Sequence, residues 1–287
     1  VTTGNLNTIV GGLAGDALTE GNNNVAIGYL ALSAETLGDR NVAIGNSALG
    51  VQNNTSDVDS YNVAVGHTAG AAVTTGIRNV LVGSLAGKAL QTANYNVAIG
   101  YQTLSTDDGG NYNTAIGYKA LEDYEADADG DGHNTAIGSS SQLNATTGEF
   151  NTSLGSLSMG SGVTIGDYNT ALGAEAGKAL TSGASNVFVG GHAGDAITSG
   201  GRNIAMGYAA LSTEDAHGRN TAIGHQALTT QNAGADAYNV AVGYDAGRNV
   251  TTGINNTIVG GLAGDSITTG GDNVSLGYNS LGSNTIG

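Results

Sequence analysis

The sequence predicts an all-β protein, a parallel β-solenoid or β-roll of about 16 coils with a 17-residue period, which we expect to be oligomeric. The phrase Asn-[Val/Thr/Ile]-x-[Ile/Val/Leu/Met]-Gly occurs sixteen times. Eleven of the fifteen intervals between successive copies are 17 residues, and the other four are 18, 19 or 21. Because the repeat extends from end to end, we expect residues 1–287 to form a single solenoid domain.

Each copy of the phrase predicts one short strand. We number each repeat from its Asn as position 0, and equivalent positions in all repeats form a column. Positions +1 and +3 carry β-branched or other aliphatic side chains (Thr at several +1 places), and position +4 is always Gly, which permits a turn with positive φ. Side chains alternate along a strand, so +1 and +3 share one face and +2 takes the other. We expect +1 and +3 to face the interior of the coil.

Position +2 predicts a second buried surface. It is Ala in ten repeats, Ser in two and a bulky apolar residue in four, and it is never charged. We therefore expect this column to contact another subunit, although Ala as an exposed filler residue would also fit the pattern. The predicted interface residues are Ile9, Leu81, Phe188, Ile258, Ala26, Ala43, Ala98 and Ala115.

The second half of the repeat has two types. Seven repeats have Gly at +8 and an aliphatic residue at +11, as in Gly15 and Leu18. Six other complete repeats have Leu at +8 and a residue that is not aliphatic at +11, as in Leu32 and Glu35. This exchange predicts one core position per coil that is filled from either side of a corner, because cores keep their volume constant.

The Asn at position 0 has two interpretations. Stacked Asn side chains form amide ladders in assemblies of stacked strands. Asn also favours turns, so the column could exist for turn chemistry alone. Both roles are compatible with the pattern.

Composition narrows the classes of function. The formal charge is -16 with only eight Lys and Arg, which argues against a nucleic-acid partner. No apolar run is long enough to predict a transmembrane segment. The chain has no Cys, and its five His are scattered, so we expect no enzymatic activity.

The phrase resembles the head repeats of YadA-like trimeric autotransporter adhesins. Asn24-Val-Ala-Ile-Gly, Asn41-Val-Ala-Ile-Gly and Asn113-Thr-Ala-Ile-Gly carry the resemblance, which covers nearly the whole chain, and similar phrases occur in phage tail-fibre-like and other secreted repeat proteins. The resemblance implies a left-handed parallel β-roll, three chains to a fibre and an adhesive role at a cell surface. The period here is longer than in those heads, and no neck or coiled-coil stalk is visible.

An acidic insertion predicts a metal site. Asp127, Asp129 and Asp131 alternate before Gly132, as in the first half of a calcium loop, within a 21-residue repeat. A calcium loop would carry a bidentate Glu at its twelfth place, where Gly138 stands, so Glu125 and Asp123 are the further candidate ligands. The alternative is a solvated acidic loop without an ion.

Tyrosines flank the strands. Eleven of the twelve Tyr occupy positions -1 or +5. We expect the rings to pack over the Gly turns or between chains, and a stripe that binds a sugar or a partner is the alternative. The candidate stripe at +5 consists of Tyr29, Tyr101, Tyr118, Tyr208, Tyr244 and Tyr278.

These features predict an extracellular structural protein that builds fibres or filaments. Residues 2–32 match residues 251–281 at twenty of 31 positions, so we expect a segment or subunit of a longer fibre, which self-associates through its small-residue face or its ends. The alternative is an adhesin or phage fibre module that recognises a cell surface or a glycan.

Overall fold

The computed structural model describes residues 2–54, 56–126 and 131–283. Within them, regular secondary structure consists of sixteen three-residue strands, in two compact units, residues 1–147 and 148–287. The first unit contains β1 (Thr8–Val10), β2 (Val25–Ile27), β3 (Val42–Ile44), β4 (Val63–Val65), β5 (Val80–Val82), β6 (Val97–Ile99), β7 (Thr114–Ile116) and β8 (Thr135–Ile137). The second unit contains β9 (Thr152–Leu154), β10 (Thr170–Leu172), β11 (Val187–Val189), β12 (Ile204–Met206), β13 (Thr221–Ile223), β14 (Val240–Val242), β15 (Thr257–Val259) and β16 (Val274–Leu276).

Within each unit, every strand pairs in parallel with the next strand along the chain. The register joins equivalent positions, so that Ala26 lies beside Ala43 and Ala205 beside Ala222. Within each unit, +1 residues donate their N–H to the Asn carbonyl of the following coil, as Val25 does to Asn41 at 2.8 Å. The all-β parallel solenoid with a 17-residue period is therefore confirmed, and the single domain over residues 1–287 stays a prediction.

The two faces of the strand are reversed relative to the prediction. In β2, Ala26 at +2 is fully buried inside the coil, whereas Val25 and Ile27 are half-exposed. The predicted interface was therefore wrong. Seven of its residues fill the core of their own unit, and the eighth packs against that core while partly buried: Ala26, Ala43, Ala98, Ala115, Leu81, Phe188, Ile258 and, as the eighth, Ile9.

The narrow interior explains why position +2 is small. Large side chains enter the same space from the opposite wall, at +8 in Leu32 and at +11 in Leu18, and both are buried. The large aliphatic residue is thus buried in both coil types, but +11 is buried in the Leu-type coils as well, as Glu35 shows, so the prediction of one shared core position was wrong. An uncharged +2 column follows from this crowding and requires no second subunit.

Bulky residues at +2 occupy the space that Gly leaves at +8. A Cβ atom added to Gly177 or Gly194 would lie 2.6 or 2.5 Å from the nearest atom of the Phe188 ring. Leu81 lies in the same way between Gly70 and Gly87. Glycine at +8 therefore makes room for the +2 side chain of its own coil or of the next.

The Gly at +4 is required by two conditions at once. Gly28 has φ of 130°, a region that side chains strongly disfavour. A Cβ atom there would lie 2.6 Å from the carbonyl oxygen of Gly45 in the next coil. Each three-residue strand therefore ends where neighbouring coils approach too closely for any side chain.

The Asn column forms a ladder, mostly from side chain to main chain. Asn24 accepts the N–H of Asn41 with its Oδ1 atom at 2.8 Å and donates its Nδ2 to the carbonyl of Gly38 at 2.9 Å. In some coils a direct amide–amide bond is added, as from Asn186 Nδ2 to Asn169 Oδ1 at 3.1 Å. The side chain thus links its own coil to the next, as the ladder interpretation predicts.

Candidate functional site

The predicted calcium ligands are only partly described. Asp127 and Asp129 lie outside the described residues. The N–H groups of Asp123 and Glu125 donate to carbonyls of the next coil at 3.1 Å, and the Asp131 carbonyl accepts the N–H of Asn111 at 2.8 Å. Glu125 also lines a cleft of about 240 Å³ together with Ala126, Thr146 and Thr147. The calcium site stays a prediction.

The Tyr residues at +5 pack on the neighbouring coils. Tyr208, His225 and Tyr244 stack with centroid distances of 5.7 and 5.1 Å. Tyr101 and Tyr118 stack at 5.8 Å. Three of the rings, Tyr208 among them, also cover a Gly at +5 of the preceding coil. Tyr29 covers Gly12, Tyr208 covers Gly191 and Tyr278 covers Gly261, each with Cδ2 3.5 to 3.6 Å from a Cβ added to that Gly. Packing over glycine is confirmed, and all six rings of the candidate stripe remain exposed.

A second aromatic column runs along position -1 of the first unit. Tyr95 stacks on Tyr112 and Tyr112 on His133, both with centroids 4.9 Å apart. Arg78 lies over the Tyr95 ring at 5.3 Å, and Arg40 over Tyr61 at 5.5 Å. Because the rings stack on one another, their edges rather than their faces point to solvent. The repeat spacing, about 4.8 Å between strands, sets this stacking.

Between the -1 and +5 columns lie the side chains that the strands turn outward. We call the side chains at +1 and +3 the outer strand face. It is built from Val, Ile, Thr, Leu and Met, and it carries no charge. In the middle of the units, Ile99 is 36% exposed and Met206 is 38% exposed. Large aliphatic side chains at this exposure form an apolar surface in each unit.

Polar side chains at +11 are buried in the Leu-type coils. Glu35 has no exposed surface, and its two oxygens accept bonds from the Gly38 N–H at 2.8 Å and from the amides of Gln52 and Asn54 at 2.9 and 3.0 Å. These bonds satisfy the carboxylate, as burial of a charge requires. The sequence indicated that +11 was not aliphatic here, but it did not indicate that the column points inward.

Asp107 occupies the same place with fewer partners. Its Oδ1 atom accepts the N–H of Gly110 at 3.0 Å, whereas its buried Oδ2 atom has no hydrogen-bond partner. Burial is the main cause that raises the pKa of Asp107 from 3.8 to about 6, against the opposing effect of the Gly110 N–H. The coil therefore holds a carboxyl group that is partly protonated near neutral pH.

Glu214 is the third buried acid of this column, and it has an imidazole beside it. The Glu214 Oε1 and His217 Nδ1 atoms are 3.5 Å apart, and ligand atoms of Glu214, Asp215 and His217 all lie within 4.8 Å of one another. Burial raises the pKa of Glu214 above its usual value, with the N–H and the imidazole of His217 opposing that rise. Among the described residues, this is the group of three that could hold a metal ion.

Sequence reasoning missed this cluster because it treated the five His as scattered. A signal was nevertheless present in the column at +14. That column carries Gly in most repeats, such as Gly38 in the coil of Glu35 and Gly110 in the coil of Asp107. The coil of Glu214 has His217 at this position instead. This coil can therefore be recognised in the sequence by a His at +14, where most repeats have Gly, three residues after an acid at +11.

Comparisons with protein families, with characterised proteins and with solved structures found no match. The part of the chain that the structure describes contains no helix able to cross a membrane. The outer strand face, the aromatic columns and the buried acids are the features of the molecule that bear on its function.

Proposed function

We propose that this chain is an extracellular structural protein that builds fibres or filaments and self-associates through its outer strand face. The observation that carries the proposal is the exposed aliphatic surface of each unit, for example Ile99 in β6 and Leu172 in β10. Parallel sheets normally have both faces covered. Here the chain itself covers only the +2 face, so a second copy is the natural cover for the other.

The size and shape of the outer strand face suit such a contact. Eight parallel strands extend about 38 Å along a sheet at the usual spacing of about 4.8 Å. Two adjacent aliphatic columns of that length expose several hundred Å², roughly the size of patch that marks an interaction site. A regular, flat surface of this kind is also self-complementary, which favours association between identical chains.

Charge fits self-association of an acidic protein. The net charge of -16 makes identical chains repel, but the outer strand face itself is uncharged at +1 and +3. Repulsion therefore acts at long range and weakens as salt is added, whereas the apolar contact does not weaken. We expect the fraction of chains in the associated state to increase with increasing ionic strength.

Sedimentation and light scattering of the purified chain test the proposal. We expect a species larger than the monomer, and the YadA-like resemblance specifically predicts three chains. Ile99→Lys places a charge on the outer strand face and should dissociate this species. Gln91→Lys adds the same charge at an exposed +12 position and is the matched control. A wild-type chain that stays monomeric at high concentration and high salt would refute self-association.

End-to-end stacking is a second route to a filament. The edge strands β1 and β16 leave Val10 56% exposed and Leu276 76% exposed. Unpaired edges of parallel sheets accept further strands. Electron microscopy distinguishes the routes, because end-to-end stacking gives filaments that persist in Ile99→Lys.

An adhesive role is the alternative function, and the exposed Tyr column at +5 is the observation that favours it. Tyr101 and Tyr118 expose 44% and 52% of their surface. Tyrosine combines an apolar ring with a hydroxyl group, which suits contacts to sugars or to a partner surface. Loss of cell or glycan binding in a Tyr101→Ala, Tyr118→Ala double variant that still assembles would support this role over the purely structural one.

Calcium remains part of the proposal for the acidic insertion. Asp123, Glu125 and Asp131, with Asp127 and Asp129, supply the hard oxygen ligands that Ca²⁺ prefers. A bound ion would stabilise the first unit, so EDTA should lower its melting temperature. An unchanged melting temperature would remove the calcium site.

A further inference from the structure

We propose that Glu214, Asp215 and His217 form a binding site for a divalent transition-metal ion, with Zn²⁺ as the best fit. Imidazole nitrogen and carboxylate oxygen are both ligands that this class of ion accepts. The site belongs to the second unit, whereas the Asp123–Asp131 insertion belongs to the first, and its ligands differ from that oxygen-only set. It therefore constitutes a separate site with a different ion.

The distances suit an ion better than a hydrogen bond. Glu214 Oε1 and His217 Nδ1 are 3.5 Å apart, beyond the usual 2.7–3.2 Å of a hydrogen bond between nitrogen and oxygen. Two ligands at about 2.05 Å from a tetrahedral ion are separated by roughly 3.4 Å. With all three ligand atoms within 4.8 Å of one another, only small side-chain movements would complete the geometry.

Buried polar atoms without partners point to a missing group at this place. Glu214 has no exposed surface, yet its Oε2 atom has no hydrogen-bond partner. The Nδ1 atom of His217 is also buried without a hydrogen bond. Such atoms carry a cost of desolvation unless something satisfies them, and a cation between the carboxylate and the imidazole satisfies both.

The main chain of the site is held before any ion binds. The Asp215 carbonyl accepts the Thr198 N–H at 2.6 Å and the Thr198 hydroxyl at 2.9 Å. The His217 carbonyl accepts Asn203 Nδ2 at 3.2 Å, and the His217 N–H donates to Glu214 Oε1 at 3.2 Å. These bonds fix the main chain of the loop against Thr198 of the preceding coil and Asn203 of its own coil. Little backbone entropy is therefore lost when an ion binds.

The two equivalent coils show why only this one qualifies. Glu35 has its oxygens saturated by Gly38, Gln52 and Asn54. Asp107 is followed by an acid, as Glu214 is, but its +14 residue is Gly110 and offers no side-chain ligand. The third ligand therefore appears only where His replaces the column Gly.

Calorimetric titration of the full chain with Zn²⁺ tests the site, and Ca²⁺ serves as the comparison ion. We expect about one Zn²⁺ per chain at this site and a higher melting temperature for the loaded protein. His217→Gly restores the residue usual in its column, and Glu214→Gln keeps the shape of the side chain. Each should weaken Zn²⁺ binding at least about tenfold, since even residues that only support metal ligands contribute that much.

His192→Ala is the matched control, because His192 Nδ1 already pairs with Asp195 at 3.2 Å and lies 3.6 Å from Glu175. It should leave Zn²⁺ binding unchanged. Circular dichroism confirms that each variant is folded. The proposal is overturned if the wild type binds no Zn²⁺, or if His192→Ala weakens binding as much as the folded His217→Gly variant does.

Discussion

The N–H of Asn24 donates a hydrogen bond of 2.8 Å to the side-chain Oδ1 of Asn7, one repeat earlier in the chain. The same bond recurs from coil to coil, as from Asn96 to Asn79 at 3.0 Å and from Asn113 to Asn96 at 2.8 Å. Each Asn side chain therefore replaces a main-chain acceptor at the start of the strand. The column is constant in sequence because two neighbouring coils depend on each member.

Asn96→Ala should destabilise the first unit by about 2–6 kcal/mol. The change leaves the Asn113 N–H and the Gly110 carbonyl, which Asn96 Nδ2 reaches at 2.8 Å, buried without partners, at about 1–3 kcal/mol each. Urea denaturation followed by circular dichroism measures the change. Asn46→Ala, at an exposed position, should stay within about 0.5 kcal/mol. Equal effects at both positions would argue against the ladder.

Phe188 and Gly194 should show strong coupling in a double-mutant cycle. Phe188→Ala leaves a cavity and should cost about 3–5 kcal/mol. Gly194→Ala places a methyl group 2.5 Å from the ring and at φ of 59°, and should cost about 1–3 kcal/mol. In the double variant the methyl group enters vacated space, so the total should be clearly less than the sum. Simple additivity would show that the two residues do not share one volume.

Asp107 should make the first unit more stable in mild acid. Its folded pKa of about 6 lies above its ordinary 3.8, so the folded state binds the extra proton between these values. The Asp107 contribution to the unfolding free energy is therefore favourable below pH 3.8 and is lost as the pH rises to about 6. The difference corresponds to roughly 3 kcal/mol.

Unfolding of the wild type and of Asp107→Asn from pH 4 to pH 7 measures this effect. The stability of the wild type relative to the variant should fall as the pH rises through that range. The exposed Asp16 of the same unit provides the control Asp16→Asn, which should follow the wild type. Parallel pH curves for the wild type and Asp107→Asn would contradict a raised pKa.

Tyr112 should stabilise the first unit through its two stacked neighbours. Tyr112→Ala removes ring contacts to Tyr95 and His133, each at 4.9 Å, and should cost about 1–3 kcal/mol. Tyr112→Phe keeps the ring and should be nearly neutral. A thermal melt of both variants separates the contribution of the ring from that of the hydroxyl group. If Tyr112→Phe is as unstable as Tyr112→Ala, the hydroxyl and not the stacking is responsible.

The strand positions and the solenoid fold could be predicted from the sequence because both depend on the repeat period. Parallel pairing in register places equivalent positions of successive repeats side by side. The sequence prediction assigned the strand faces incorrectly. Alternation along β2 separates Ala26 from Val25 and Ile27, but alternation alone does not say which side is the interior. The interior is narrow, so the small residue faces inward and the larger aliphatic residues face outward.

The cluster around Glu214 was harder to predict for a related reason. The sequence showed only that +11 is not aliphatic in these coils, and charged residues are rarely buried. In Glu35 the coil supplies enough N–H groups to bury the charge, and only the three-dimensional path of the loop reveals those donors. The metal-binding potential of His217 depends on the same inward path.

Thiol labelling distinguishes a strand whose +2 side chain faces inward and whose +3 side chain faces outward from the opposite arrangement. The chain has no Cys, so single Ala98→Cys and Ile99→Cys variants each carry one reactive group. Under native conditions and at high dilution, we predict rapid labelling of Ile99→Cys and strong protection of Ala98→Cys. Protection of Ile99→Cys should then increase with protein concentration as chains associate. Rapid labelling of Ala98→Cys together with protection of Ile99→Cys at all concentrations would contradict the account.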